Sequence, residues 1–166
     1  AGMYDSTKAM RHLEGEVALS VPAVAAWRMY RDNKVMSAVN PDKLSNVEYV
    51  QGSGEPGSIR VLKLGPEVRD FVKESTEKIE KVENGRSVTY EVIGGCLRDM
   101  YYPYRVTFSF TPAIGFETAK CTAKWEVDYE PLYPSVPLPE KARDAALGFL
   151  QCFDYWPLER YPALTA

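Results

Sequence analysis

The sequence predicts an α+β fold in which an antiparallel sheet carries helices on one side. Three observations predict it: a first alternating segment followed by two short helical segments, five or six further alternating segments in succession, and one apolar-striped helix near the C-terminus. At 166 residues and 45% hydrophobic, the chain can bury a substantial core but is short for two ordinary domains, so one domain over 13–156 follows.

Residues 1–12 are polar and mixed and are expected as a flexible lead-in. Leu13, Gly15, Val17 and Leu19 then alternate with Glu14, Glu16 and Ala18, the period-two pattern of a first strand. Ser20, Val21 and Pro22 offer an N-cap and a first-turn proline for a helix over 23–30, and a second helix is predicted over 33–39, ended by Asn40 and Pro41. Trp27 and Tyr30 read as aromatics closing a core rather than as ligand contacts.

Residues 46–50 and 59–64 suit a pleated surface and flank the loop Gln51-Gly52-Ser53-Gly54-Glu55-Pro56-Gly57-Ser58. Gly costs about 1 kcal/mol and Pro about 3 kcal/mol relative to Ala inside a helix, so this loop is the turn of an antiparallel hairpin. A phosphate cradle needs a Lys-Ser/Thr pair or a helix after the last glycine; Gly57 is followed instead by Ser58-Ile59-Arg60 and strand-like alternation.

Further strands are predicted over 71–77, 87–92, 102–110 and 118–128, with Glu83-Asn84-Gly85 as a hairpin turn. Alternation groups Val72, Glu74 and Thr76; Val88, Tyr90 and Val92; Tyr102, Tyr104, Val106, Phe108 and Phe110; and Ala119, Cys121, Ala123, Trp125 and Val127 on one inner face. Pro103 inside a strand marks an edge or a bulge. The late helix is predicted over 139–156, with Ala142, Ala145, Ala146, Phe149, Cys152, Phe153 and Trp156 as its stripe, followed by a tail from Pro157.

The net charge of −3, without a basic run, argues against nucleic acid and anionic membrane as partners. No apolar run reaches the roughly 20 residues of a membrane span and the first ten residues lack a signal-peptide core, so a cytoplasmic monomer or weak dimer is expected. Three scattered cysteines (Cys96, Cys121, Cys152) and a single histidine, His12, show no ligand spacing, so neither metal nor cofactor is expected.

Gly52-Ser53-Gly54-Glu55-Pro56-Gly57-Ser58-Ile59 resembles the glycine-rich loop of the plant pathogenesis-related class 10, birch-pollen-allergen and major-latex-protein superfamily, with Glu55 where a glycine is usual. Val72-Lys73-Glu74, Tyr90-Glu91-Val92-Ile93-Gly94-Gly95 and Lys124-Trp125 are similar to its further motifs, in the same order. The resemblance implies a helix-grip fold. In it a curved antiparallel sheet wraps a long C-terminal helix, two short helices form a supporting V, and an internal apolar cavity lies between sheet and helix.

On that reading the cavity wall comprises Arg60, Leu62, Val72, Glu74, Val88, Tyr90, Tyr102, Tyr104, Val106, Phe108, Cys121, Trp125, Phe149 and Phe153, and the function is carriage or storage of a small hydrophobic or amine-bearing plant metabolite or hormone. A core simply filled by these aromatics is the competing reading. Glu74, the one carboxylate of the inner face, is the candidate to hold an amine or move a proton, unless it only pairs with Arg60 or a tyrosine. The alternative function is a cofactor-independent cyclase, isomerase or condensing enzyme of specialised, alkaloid-type metabolism, with Glu74 as acid/base and Tyr90, Tyr102 or Tyr104 orienting the substrate. The norcoclaurine-synthase branch implies a Tyr, a Lys, a Glu and an Asp; aligned to it, this chain keeps only Glu74, with Val72, Ser87 or Val88, and Val106 at the other positions.

Overall fold

Seven antiparallel strands form one sheet in the order β1-β7-β6-β5-β4-β3-β2 in the computed structural model, which describes residues 10–157. They are β1 (Arg11–Leu19), β2 (Leu44–Gln51), β3 (Ile59–Leu64), β4 (Glu74–Glu83), β5 (Ser87–Gly95), β6 (Tyr101–Pro112) and β7 (Cys121–Pro131). Helices α1 (Ala23–Arg31) and α2 (Asn33–Val39) connect the two edge strands, and α3 (Glu140–Gln151) crosses the sheet beside β1 and β7. A 3-10 turn, Cys152–Tyr155, follows α3, so the predicted 139–156 helix ends in a tighter final turn.

The alternation of β5, β6 and β7 does what the pattern requires. Val88, Tyr90 and Val92, then Tyr104, Val106, Phe108 and Phe110, then Cys121, Ala123, Trp125 and Val127 are all buried on the concave face. Their opposite faces carry the polar partners, such as Thr89 and Thr107, whose hydroxyls lie 2.9 Å apart.

In β1 the apolar parity falls on Gly15, and the position has a packing reason. A Cβ there would stand 2.8 Å from Leu147 Cδ1 and 2.9 Å from Arg143 Cδ, so these two side chains of α3 rest directly on the strand backbone. The strand also begins at Arg11, inside the predicted lead-in; residues 1–9 and 158–166 lie outside the described residues.

The seven strands are the first predicted segment and six more after the short helices, as the alternation requires. Three readings are corrected. β4 begins at Glu74, not at residue 71, because turns closed by Val68 N–H to Gly65 and Val72 N–H to Val68 occupy the preceding residues. Ala119 is exposed before β7 rather than inside it. The N-cap of α1 is Pro22, not Ser20, whose amide donates instead to Asp154 Oδ1 at 2.7 Å.

The glycine loop is a hairpin turn, as its composition dictates. Gly54 has φ +120°, a region closed to side chains, and its amide donates to Ser58 Oγ at 3.0 Å while its carbonyl accepts from Arg31 Nη2 at 2.6 Å. Glu55 accepts from the Ser53 amide and hydroxyl at 3.1 and 2.9 Å, so the residue that departs from the loop pattern braces it.

Candidate functional site

The concave face and α3 do not meet along their whole length. Between them lies a pocket of about 140 Å³ whose buried part is formed by Tyr30, Met36, Leu44, Arg60, Val72, Ser75, Glu77, Tyr90, Val92, Leu97, Tyr104, Val106, Phe108, Trp125, Phe149 and Leu150. Its half-buried rim is Leu62, Leu64, Val68, Phe71, Ala142, Ala145 and Ala146, with Lys43 at the edge, ion-paired to Glu67 at 3.0 Å. Small residues on the first turns of α3 leave the space that Phe149 and Leu150 then close.

One row of the sheet gives the pocket its polar character. Arg60 on β3 stands opposite Glu77 on β4, and Glu77 stands opposite Val92 on β5. Arg60 Nε donates to Glu77 Oε1 at 2.8 Å, with both side chains only 3% exposed. Arg60 Nη2 also donates to Tyr30 Oη at 3.1 Å, and the guanidinium lies 5.3 Å from that ring.

The electrostatics follow from burial. Burial pushes the Glu77 carboxyl above the usual carboxylate range, a shift that the Arg60 charge and hydrogen bonds from Arg60 and Tyr90 only partly offset. Burial also opposes the Arg60 charge, but the carboxylate beside it prevails and holds the guanidinium protonated. Tyr30, Tyr90 and Tyr104 are all raised, chiefly by burial, so each keeps its phenolic proton.

The structure sorts the predicted wall. Arg60, Leu62, Val72, Tyr90, Tyr104, Val106, Phe108, Trp125 and Phe149 line the pocket. Val88, Cys121 and Phe153 are buried but stand outside its lining, in the solid part of the core. Burial raises the Cys121 thiol to about 11, which leaves it an inert core group.

Glu74 and Tyr102 are corrected outright. Glu74 is exposed, because the later start of β4 puts Ser75, Glu77 and Ile79 on the inner face and Glu74 on the other. Tyr102 is 49% exposed beneath the Arg98 guanidinium, 3.9 Å from its ring; a register shift between Tyr101 and Tyr104 turns both of those inward and Tyr102 outward. The catalytic assignment to Glu74, Tyr90 and Tyr104 therefore brings only the two tyrosines to one pocket.

Sequence reasoning passed over Glu77, Ser75 and the pocket-facing side of Tyr30, which was read as core alone. A signal for Glu77 existed: an arginine placed inward on β3 requires a buried carboxylate partner, and only the correct phase of the next strand supplies it.

On the outer face, His12, Glu14 and Glu126 bring one potential ligand atom each within 4.8 Å of one another, an arrangement that sequence spacing hid because it spans two paired strands. Lys124 Nζ already lies 2.6 Å from Glu14 Oε2.

The model of the pathogenesis-related protein Bet v 1 family matches residues 9–154. MLP-like protein 423 of Arabidopsis thaliana is 27% identical over 154 residues, covering 91% of this chain and 96% of that protein. The fold is similar to that of major latex-like protein 151 from Panax ginseng, with a TM-score of 0.74 at 16% identity over 89% of this chain and 97% of that one. It is also similar to norcoclaurine synthase from Thalictrum flavum in complex with dopamine and hydroxybenzaldehyde, with a TM-score of 0.64 at 18% identity over 87% and 86%.

Proposed function

The chain belongs to the pathogenesis-related protein Bet v 1 family, and on that premise we propose that it binds a small, largely apolar metabolite between the concave sheet and α3 and carries it unaltered. The observation that supports this most is the pocket itself. Its wall is aliphatic and aromatic apart from one buried ion pair and a few hydroxyls, the composition of a site that removes an apolar body from water at roughly 25 cal/mol per Å² and orients it with few polar contacts.

The same wall argues against the enzymatic alternative. A general acid or base needs a free group that exchanges its proton near neutral pH; Glu77 is engaged by Arg60 at 2.8 Å, and burial holds the Tyr90 and Tyr104 phenols protonated. The lysine at the pocket edge, Lys43, is paired with Glu67 at 3.0 Å. Glu74, the expected proton carrier, faces away.

Native mass spectrometry tests the reading. The protein is exposed to a plant metabolite extract, alongside Ala146→Trp, whose indole fills the pocket from α3. Carriage predicts a retained, unaltered small molecule with wild type and none with the variant. New product masses that depend on wild type would establish turnover instead, and retention unaffected by Ala146→Trp would place binding elsewhere.

A further inference from the structure

The polar groups of the pocket wall fall into two kinds. Arg60 and Glu77 satisfy each other at 2.8 Å, and Tyr30 takes a further Arg60 proton at 3.1 Å. Tyr104 Oη and Ser75 Oγ are different. Both residues line the pocket and are 1% and 5% exposed, and neither side-chain hydroxyl has a hydrogen-bond partner among the described residues.

Buried side-chain hydroxyls are partnered in the great majority of cases, so two orphans in one wall mark where a ligand oxygen belongs. They lie on β6 and β4, with β5 between them, so they present two donors on one wall of the pocket.

Resting on the reading that this pocket is a binding site, the geometry points to an uncharged ligand with a single ring and an oxygen acceptor that takes a hydrogen bond from Tyr104, Ser75 or both. The single ring follows from volume: about 140 Å³ is close to the roughly 150 Å³ of an apolar cavity that takes up benzene. The neutrality follows from charge. The charged residues of the lining are Arg60, Glu77 and Lys43, and each already has its counter-ion, so an ammonium or carboxylate would be stripped of water with no free partner. The acceptor follows from Tyr104, whose phenol stays protonated throughout the physiological range and so presents a donor.

The test is calorimetric titration at pH 7 with acetophenone, toluene, benzylammonium and benzoate, on wild type and on Tyr104→Phe/Ser75→Ala. Acetophenone is expected to bind wild type about tenfold more tightly than toluene. In the double variant the two become equal, through loss of acetophenone affinity with toluene unchanged. Benzylammonium and benzoate bind at least about a hundredfold more weakly than acetophenone.

A wild-type preference for either ion, equal binding of acetophenone and toluene to wild type, or an acetophenone preference that survives both substitutions each overturns the inference while leaving a binding pocket. The wild-type comparison stands without the variant's stability. Failure of every probe to bind overturns the binding function along with it.

Discussion

Glu77→Leu and Arg60→Met remove the two halves of one buried pair, and they are expected to fail in different ways. The guanidinium cannot shed its proton, so Glu77→Leu leaves an unpaired charge in a site where Arg60 is 3% exposed. That costs about 3 to 5 kcal/mol, which for a chain of this length lowers Tm by roughly 6 to 20 °C, with little dependence on pH.

Arg60→Met leaves a carboxyl that can take up a proton. Its ordinary value is 4.5, and the cost of neutralising it is about 1.36 kcal/mol for each pH unit above that, so about 3.4 kcal/mol at pH 7 and about 0.7 kcal/mol at pH 5. The sign is fixed by linkage. The folded pKa lies above 4.5 and rises further without Arg60, so between 4.5 and that folded value the native state holds the extra proton and stability falls as pH rises. Arg60→Met/Glu77→Leu should return to within about 1 kcal/mol of wild type or exceed it. Urea unfolding of the four proteins at pH 5, 6 and 7 reads all of this. Single variants that each cost under about 1 kcal/mol, with no pH difference between them, would mean that the pair is hydrated and that its burial is wrong.

Three further outcomes are expected. Tyr104→Phe deletes a buried hydroxyl that has no partner among the described residues, so the ligand-free protein should gain up to about 1 kcal/mol, roughly 2 to 4 °C in Tm by calorimetry, and a loss would show that the hydroxyl is satisfied. Gly15→Val puts atoms where Leu147 and Arg143 already stand at 2.8 and 2.9 Å, and urea unfolding should show a loss of about 1 to 3 kcal/mol; an unchanged midpoint would mean that α3 does not rest on β1. His12, the only histidine, donates from Nδ1 to Asp128 Oδ1 at 2.7 Å, and that contact first, then neighbouring carboxylates, raises its pKa above 6.5. Its imidazolium therefore adds stability below pH 6.5 that is lost as pH rises through the folded value; NMR titration should find a midpoint above 6.5 that falls in Asp128→Asn.

Much of the fold was legible because it is written in local chemistry. The glycine loop could only be a turn, the alternation of residues 87–92 and 104–110 could only bury one face, and the small-then-aromatic stripe of the late helix could only lie against it. The two misplaced site residues share a physical cause. Side chains of a strand alternate with period two, so one residue of error in where a strand starts, or one extra residue at a bulge, reverses every assignment on that side. The segment Glu74-Ser75-Thr76-Glu77-Lys78-Ile79 has a single apolar residue with which to phase it, and Tyr101-Tyr102-Pro103-Tyr104 offers three equivalent rings. Local propensity cannot choose between such phases. The choice is made by distant partners: Arg60 on the neighbouring strand draws Glu77 inward, and Tyr129 on β7 pairs with Tyr104. The sequence alone determined the sheet, the covering helix and an aromatic interior; only the tertiary structure decided which carboxylate and which tyrosines face the pocket, because register is a property of pairs of strands.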